Sequence, residues 1–214
     1  MLSTVPDFGA FKSLGTLYLS DVRFEPNVFE SLMLGCPSLV TLDISHCSGL
    51  KSINVSSPVL EILNLQGDQA TESICLENAK NLTDLALLAD RPGDNFERDT
   101  ISNLIKGLSK IKSICLGEGY FKVSKPQHIC FPKRLQGSLN CLKHVELYGV
   151  DFTETRELLF VISLLKSSPN IEKLLIEVTR IHLNLLVCFF FSCHILAHSI
   201  FFILFFRVIA ITWI

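Results

Sequence analysis

The sequence lacks most features of a catalytic or secreted chain. None of its eight cysteines forms a C-x-x-C pair, and no phosphate-binding loop of the form G-x-x-x-x-G-K-[ST] is present. No positively charged, apolar signal peptide opens the chain, and the cysteine spacing differs from that of small secreted disulfide frameworks. We therefore expect a reducing cytoplasmic or nuclear compartment, in which the cysteines serve as small apolar residues.

A clustered basic surface is also missing. The formal net charge is −2, whereas phosphate binding needs basic residues gathered on one face. The nearest approach is a loose basic stretch spread over a predicted helix, strand and loop, which we interpret as scattered surface charge: Lys106, Lys110, Lys112, Lys122, Lys125, Lys133 and Arg134. We expect no nucleic-acid partner.

What the chain does contain is a repeated sequence motif. Residues 39–47 have the form L-x-x-L-x-L-x-x-C, which is the strand-and-turn signature of a leucine-rich repeat. Its apolar frame occurs seven times: Leu14, Leu17, Leu19; Leu39, Leu42, Ile44; Leu60, Leu63, Leu65; Leu82, Leu85, Leu87; Ile111, Ile114, Leu116; Leu142, Val145, Leu147; Ile171, Leu174, Ile176. The sequence predicts an α/β leucine-rich-repeat solenoid with a concave parallel sheet over residues 1–180, partial and uncapped.

The spacing of the copies predicts what lies on the convex side. Helical spacing of apolar residues over 27–34 predicts a short helix that ends near Gly35. The copies at Leu39, Leu60 and Leu82 then leave room only for short strands, around Ile53 and Ile74. The later copies are further apart, and helices are predicted over 99–108 and 153–165, the second burying Leu158, Leu159, Ile162 and Leu165.

Residues between the frame positions form the predicted concave face, because successive side chains of a strand point to opposite sides. The candidate protein-binding residues on this face are Tyr18, Thr41, Asp43, Asn64, Gln66, Asp84, Ser113, His144, Glu146, Tyr148 and Lys173, and the same rows include Ala86, Cys115 and Glu177. Mixed polar, acidic and aromatic residues suit protein recognition, and tyrosine is a favoured interface anchor. The alternative for any single residue is a plain solvated position.

No catalytic, cofactor or metal site is predicted. His46 and Cys47 fall on opposite faces, with Cys47 in the core, and Cys115 with His144 lacks a third orienting group. In the tail, Cys188 with Cys193 and His194 with His198 have ligand-like spacing. A zinc finger, however, needs about twelve residues between its two pairs, and here the pairs are adjacent. We expect a chain that is not an enzyme.

Several phrases resemble a known family. Residues 36–44, 50–58, 74–82 and 168–174 are similar to the repeats of plant F-box/leucine-rich-repeat proteins, in the group that carries an FBD region. The resemblance implies that an N-terminal F-box docks on the adaptor of a cullin-based (SCF-type) E3 ubiquitin ligase while the repeats hold the protein substrate. No F-box-like segment precedes Phe11. Adaptor binding is therefore expected only if the full-length protein carries an F-box.

Residues 181–214 differ from the repeats, because Arg207 is their only charged residue. The apolar stretch 183–206 has the roughly 20 residues that a transmembrane helix needs. We predict an apolar C-terminal helix and keep three interpretations: a read-through artefact or truncated isoform, a membrane anchor, and a buried packing element. An anchor would make the chain a membrane-anchored repeat scaffold or receptor fragment, which is the alternative to a substrate-recognition module.

Overall fold

The computed structural model describes residues 11–55, 57–67, 71–88, 104–105, 107–120 and 139–180, together with the backbone of 201–206. Within these ranges, eight strands form one parallel sheet in the order β1-β2-β4-β6-β7-β8-β9-β10. They are β1 (Thr16–Ser20), β2 (Thr41–Ser45), β4 (Ile62–Gln66), β6 (Asp84–Leu88), β7 (Ser113–Leu116), β8 (His144–Asp151), β9 (Lys173–Arg180) and β10 (Phe201–Phe206). The parallel sheet predicted from the seven copies of the repeated motif is confirmed.

The register of the sheet aligns the apolar frame of every copy. Leu42 lies opposite Leu17 and Leu63, and this row continues through Leu85 into β7, β8 and β9. From β2 to β9 the inward residues of these rows are at most 3% exposed, whereas those of β1 are half-buried. The sheet strands from β1 to β9 therefore contribute to one continuous core, as expected when a repeat can bury its apolar face only against its neighbours.

Sharp turns follow the first strands at equivalent positions. Asp21, His46 and Gly67 each come directly after a strand and have φ values of 56°, 50° and 107°. The backbone N–H of His46 donates to the carbonyl of Gln66, 2.9 Å away, in the next strand. This left-handed conformation turns the chain out of the sheet while its amide still pairs with the neighbouring repeat.

Helices and short strands lie on the far side of the core from the large sheet, as predicted. Helix α1 (Val28–Gly35) lies where the helix over 27–34 was predicted and buries Val28, Phe29, Leu32 and Met33. Strands β3 (Ser52–Asn54) and β5 (Ser73–Cys75) form a second, two-stranded parallel sheet. Of the helix predicted over 99–108, Leu104, Ile105, Gly107 and Leu108 are described. The backbone of the first three is helical, and Leu104, Ile105 and Leu108 are buried.

Helix α2 (Thr155–Ser167) lies where a helix was predicted, but its buried face is rotated from the prediction. Leu158 and Leu165 are buried as expected, whereas Leu159 is 44% exposed and Ile162 is half-buried. The core side is completed by Val161 and other apolar residues instead. The prediction for Leu159 is wrong because 158, 161 and 165 also have helical spacing, and only the packing partner selects between the two stripes.

Two features fix the chain between β2 and β4, where it returns from one strand of the large sheet to the next. The hydroxyl of Ser57, 3% exposed, donates to the Leu39 carbonyl at 2.8 Å. Gly49 has a φ of 84°, and a Cβ added there would lie 2.2 Å from the backbone oxygen of Phe24 in the preceding repeat. Glycine is therefore required at this position by both its dihedral angle and its close contact.

Six residues of the tail are described, and they form a strand. Strand β10 pairs in parallel with β9, with Phe202 opposite Leu174 and Leu204 opposite Ile176. The prediction of an apolar C-terminal helix is wrong for 201–206, because β9 offers an unpaired edge whose amides and carbonyls accept a further strand. Residues 181–200 and 207–214 lie outside the described residues. Within the described residues, no helix is long and apolar enough to cross a membrane.

Candidate functional site

The candidate site is the face of the parallel sheet that points away from the core, which we call the open face. It consists of the outward residues of β1, β2, β4, β6, β7, β8 and β9, which are half-buried or exposed while their neighbours along each strand are packed inward. Every candidate residue predicted from the sequence lies on it: Tyr18, Thr41, Asp43, Asn64, Gln66, Asp84, Ser113, His144, Glu146, Tyr148 and Lys173.

The register arranges these residues in rows that cross the strands. One row runs Thr16, Thr41, Ile62, Asp84, Ser113, His144, Lys173, and the next runs Tyr18, Asp43, Asn64, Ala86, Cys115, Glu146, Leu175. Small residues, Ala86 and Cys115, occupy the centre of the second row. Strands in a sheet lie about 4.8 Å apart, so this row is a continuous surface roughly 29 Å long.

Polar contacts hold several open-face side chains in place. Near one end, the Asn64 amide donates to a carboxylate oxygen of Asp43, 3.1 Å away on the neighbouring strand. Next to it, the Thr83 hydroxyl donates to Asp84 at 2.6 Å. Side chains fixed by such contacts lose less conformational freedom when a partner binds.

The densest polar cluster lies on β8 and β9 around Glu146. Its two carboxylate oxygens accept hydrogen bonds from the Lys173 ammonium, at 2.7 Å, and from the Tyr148 hydroxyl, at 2.9 Å. The Lys173 contact, with the Tyr148 bond adding to it, holds the pKa of Glu146 below its usual value despite partial burial. Burial and the negative charge of Glu146 raise the pKa of Tyr148 to about 12. Glu146 is therefore ionised, and Tyr148 is a neutral hydrogen-bond donor, at neutral pH.

A bulge in β8 begins directly after Leu147, at the edge of this cluster. The pairing of β8 with β9 shifts between Leu147 and Val150, and Gly149 within it has a φ of 79°. A Cβ at Gly149 would lie 2.4 Å from the Cβ of Glu118. The extra residue re-aims the strand at the level of Tyr148, which is a common use of a bulge beside a functional surface. Sequence reasoning missed the bulge; the glycine inside a strand pattern was its only signal.

Nothing in the described part of the chain forms a nucleophilic site. Burial, with the charge of Glu146 adding to it, raises the pKa of the Cys115 thiol to about 11, so the thiolate needed for attack is scarce at neutral pH. Cys115 lies opposite Glu146, and His144 lies opposite Ser113. Cys115 and His144 are therefore diagonal neighbours and do not face each other directly. Cys47 is 1% exposed and packs in the core, as predicted.

Metal-ligating side chains do not gather either. No group of three or more His, Cys, Asp or Glu residues that would hold a metal ion occurs among the described residues. The pairs Cys188 with Cys193 and His194 with His198 lie outside those residues. The arrangement that the described residues do offer is an extended, uncovered polar and aromatic sheet face.

A parallel sheet built on a repeated leucine frame, with strands and short helices behind it, defines a leucine-rich-repeat protein. Residues 2–176 match the family described as "FBD-associated F-box protein At5g56370, LRR repeats". The chain is also 32% identical over 177 residues to the Arabidopsis thaliana "F-box/FBD/LRR-repeat protein At1g13570". The chain therefore belongs to the plant F-box/leucine-rich-repeat family with an FBD region, which confirms the resemblance seen in the sequence.

The match covers 81% of this chain and 42% of that relative, so the chain spans less than half the length of the relative. No solved structure matches the chain.

Proposed function

We propose that the open face binds a protein substrate, and that the chain is the substrate-recognition part of an F-box protein in a cullin-based E3 ubiquitin ligase. In this role it positions a bound protein and performs no chemistry itself. The family supports this proposal, because a leucine-rich-repeat module in an F-box protein is a recognition surface. The role also fits a cytoplasmic or nuclear location, which we retain as part of the proposal.

One observation carries the proposal: among the described residues the open face is left uncovered across seven strands, and hydrogen bonds fix several of its side chains. Tyr18 is 71% exposed at one end, and Tyr148 is hydrogen-bonded to Glu146 near the other. Tyrosine is a favoured anchor of protein interfaces, and this face presents one exposed tyrosine and a second, half-buried one whose orientation is already set. A merely solvated sheet face needs none of these fixed contacts.

Site-specific photo-crosslinking tests the binding role. A photoreactive phenylalanine analogue replaces Tyr18 on the open face, and in a matched control it replaces Leu159, which is 44% exposed on α2. We expect defined crosslinked proteins from the Tyr18 position only. A second substitution, Ala86→Trp, fills the centre of the open face without changing charge and should abolish those crosslinks. Equal crosslinking from both positions, or crosslinks that survive Ala86→Trp, would contradict a binding role for this face.

The ligase role has its own test. The crosslinked protein should accumulate when this chain is overexpressed without an F-box, because the chain then competes with the complete ligase for the substrate. It should fall when the full-length product of the same gene is expressed. Failure of the full-length product to co-purify with the cullin adaptor would reject the ligase role and leave a binding module.

A further inference from the structure

One carboxylate of the open face, that of Glu177, makes neither a hydrogen bond nor an ion pair with any described residue, and it lies beside an aromatic ring. Glu177 occupies the third outward position of β9 and is half-buried. The pairing of β8 with β9 sets Leu147 opposite Ile176 and Val150 opposite Val178, so Tyr148 lies across from Glu177 on the same face of the sheet. Among the residues that the structure describes, Glu177 makes no hydrogen bond or ion pair, whereas both oxygens of Glu146 are occupied.

The tyrosine between these carboxylates is held in one orientation. Its hydroxyl donates to Glu146 at 2.9 Å, and Glu146 is fixed in turn by Lys173. An aromatic ring beside a carboxylate attracts a cation twice, through the quadrupole of the ring and through the negative charge. Because the ring is already positioned, a cation that binds there does not have to order it.

The charge of the rest of the open face agrees with this. Its charged side chains are four carboxylates, one ammonium and a histidine: Asp43, Asp84, Glu146, Glu177, Lys173 and His144. The ammonium is already paired with Glu146. At the end of the same strands, Arg180 lies 3.9 Å from Asp151, so it too has a carboxylate partner. The surface therefore offers unneutralised negative charge to a partner and no unpaired lysine or arginine of its own among the described residues.

We propose that Glu177 and the ring of Tyr148 form a subsite for a lysine or arginine side chain of the bound protein, so that the substrate presents a basic segment to the β8–β9 end of the open face. This inference rests on the proposed function and specifies the substrate class. The aliphatic stem of the basic side chain lies along the ring, and its charged head meets the Glu177 carboxylate. Arginine suits the subsite best, because its planar guanidinium both stacks on a ring and pairs with a carboxylate.

The test uses random short peptides displayed on phage and selected on the full chain, followed by fluorescence anisotropy with the selected peptides. Glu177→Gln removes the charge and keeps the shape, and Glu30→Gln on the exposed side of α1 is the matched charge control. Tyr148→Leu removes the ring, whereas Tyr148→Phe keeps it. On the ligand side, each arginine is replaced by neutral citrulline.

We expect selected peptides to contain lysine or arginine. Glu177→Gln and the citrulline replacement should each weaken binding by about five- to tenfold, in line with a partly desolvated ion pair. Tyr148→Leu should weaken binding by a few-fold, Tyr148→Phe should weaken it less because the ring remains and only the hydrogen bond that orients it is lost, and Glu30→Gln should have little effect.

Peptides that Ala86→Trp displaces, but that lack basic residues or ignore Glu177→Gln, would overturn this inference and leave the open face as a binding surface. Peptides that ignore both substitutions would overturn the inference as well, and the crosslinking experiment would then decide on the open face itself.

Discussion

Truncating Leu63 to alanine tests the inward-outward alternation on which the open face depends. Leu63 is 0% exposed and lies between Leu42 and Leu85 on the neighbouring strands. Removing most of a fully buried leucine side chain costs its transfer free energy and leaves a cavity, and such changes lower the free energy of unfolding by about 2–5 kcal/mol. The packed neighbours on both sides leave little room for the cavity to collapse.

The next residue along the strand provides the matched control. Asn64 is half-buried on the open face, and its side chain makes one hydrogen bond, of 3.1 Å, to Asp43. Its replacement by alanine removes that bond but leaves Asp43 accessible to water. The expected cost is therefore about 0.5–1.5 kcal/mol, even though the asparagine and leucine side chains are similar in size.

Urea unfolding followed by circular dichroism measures both changes. With a slope of about 2 kcal/mol/M, Leu63→Ala should lower the midpoint by about 1–2.5 M and Asn64→Ala by less than about 0.8 M. Equal shifts, or a larger shift for Asn64→Ala, would refute the assigned register, because a slip by one residue exchanges the two faces of the strand.

Three further outcomes follow from single contacts. Gly49→Ala should destabilise by at least about 1 kcal/mol in thermal unfolding, because of its positive φ and the close backbone oxygen; an unchanged melting temperature would contradict that geometry. Ser57→Ala leaves the buried Leu39 carbonyl without its donor and should cost about 1–3 kcal/mol. Lys173→Met removes the main cause of the lowered Glu146 pKa. The loss in unfolding free energy caused by Lys173→Met should be small, under about 1 kcal/mol, above pH 4.5, and it should disappear as the pH falls through the lowered pKa of Glu146. A loss of stability that persists in acid would refute the assignment of this ion pair.

The accuracy of the sequence-based predictions depended on how local the evidence was. Helix α1 and strand β3 were predicted closely, because local spacing of apolar residues indicated a single secondary structure for each. For α1, Gly35 also marked the end of the helix. Leu159 was assigned to the core and is exposed, because two apolar stripes on α2 had helical spacing and only the neighbouring strand selected between them. At β10, composition favoured a helix, whereas the open edge of β9 gave those six residues a strand partner.

The sequence by itself determined the repeat, the inward frame and the membership of the open face. A strand has a period of two, so the positions of Leu42 and Ile44 already assign Asp43 to the other side. Only the tertiary structure decided which open-face residues meet. Glu146 pairs with Lys173, 27 residues away, and the bulge at Gly149 sets the level of Tyr148 beside it. These contacts depend on how the loops set the register between strands, and that is a property of the assembled sheet rather than of any one repeat.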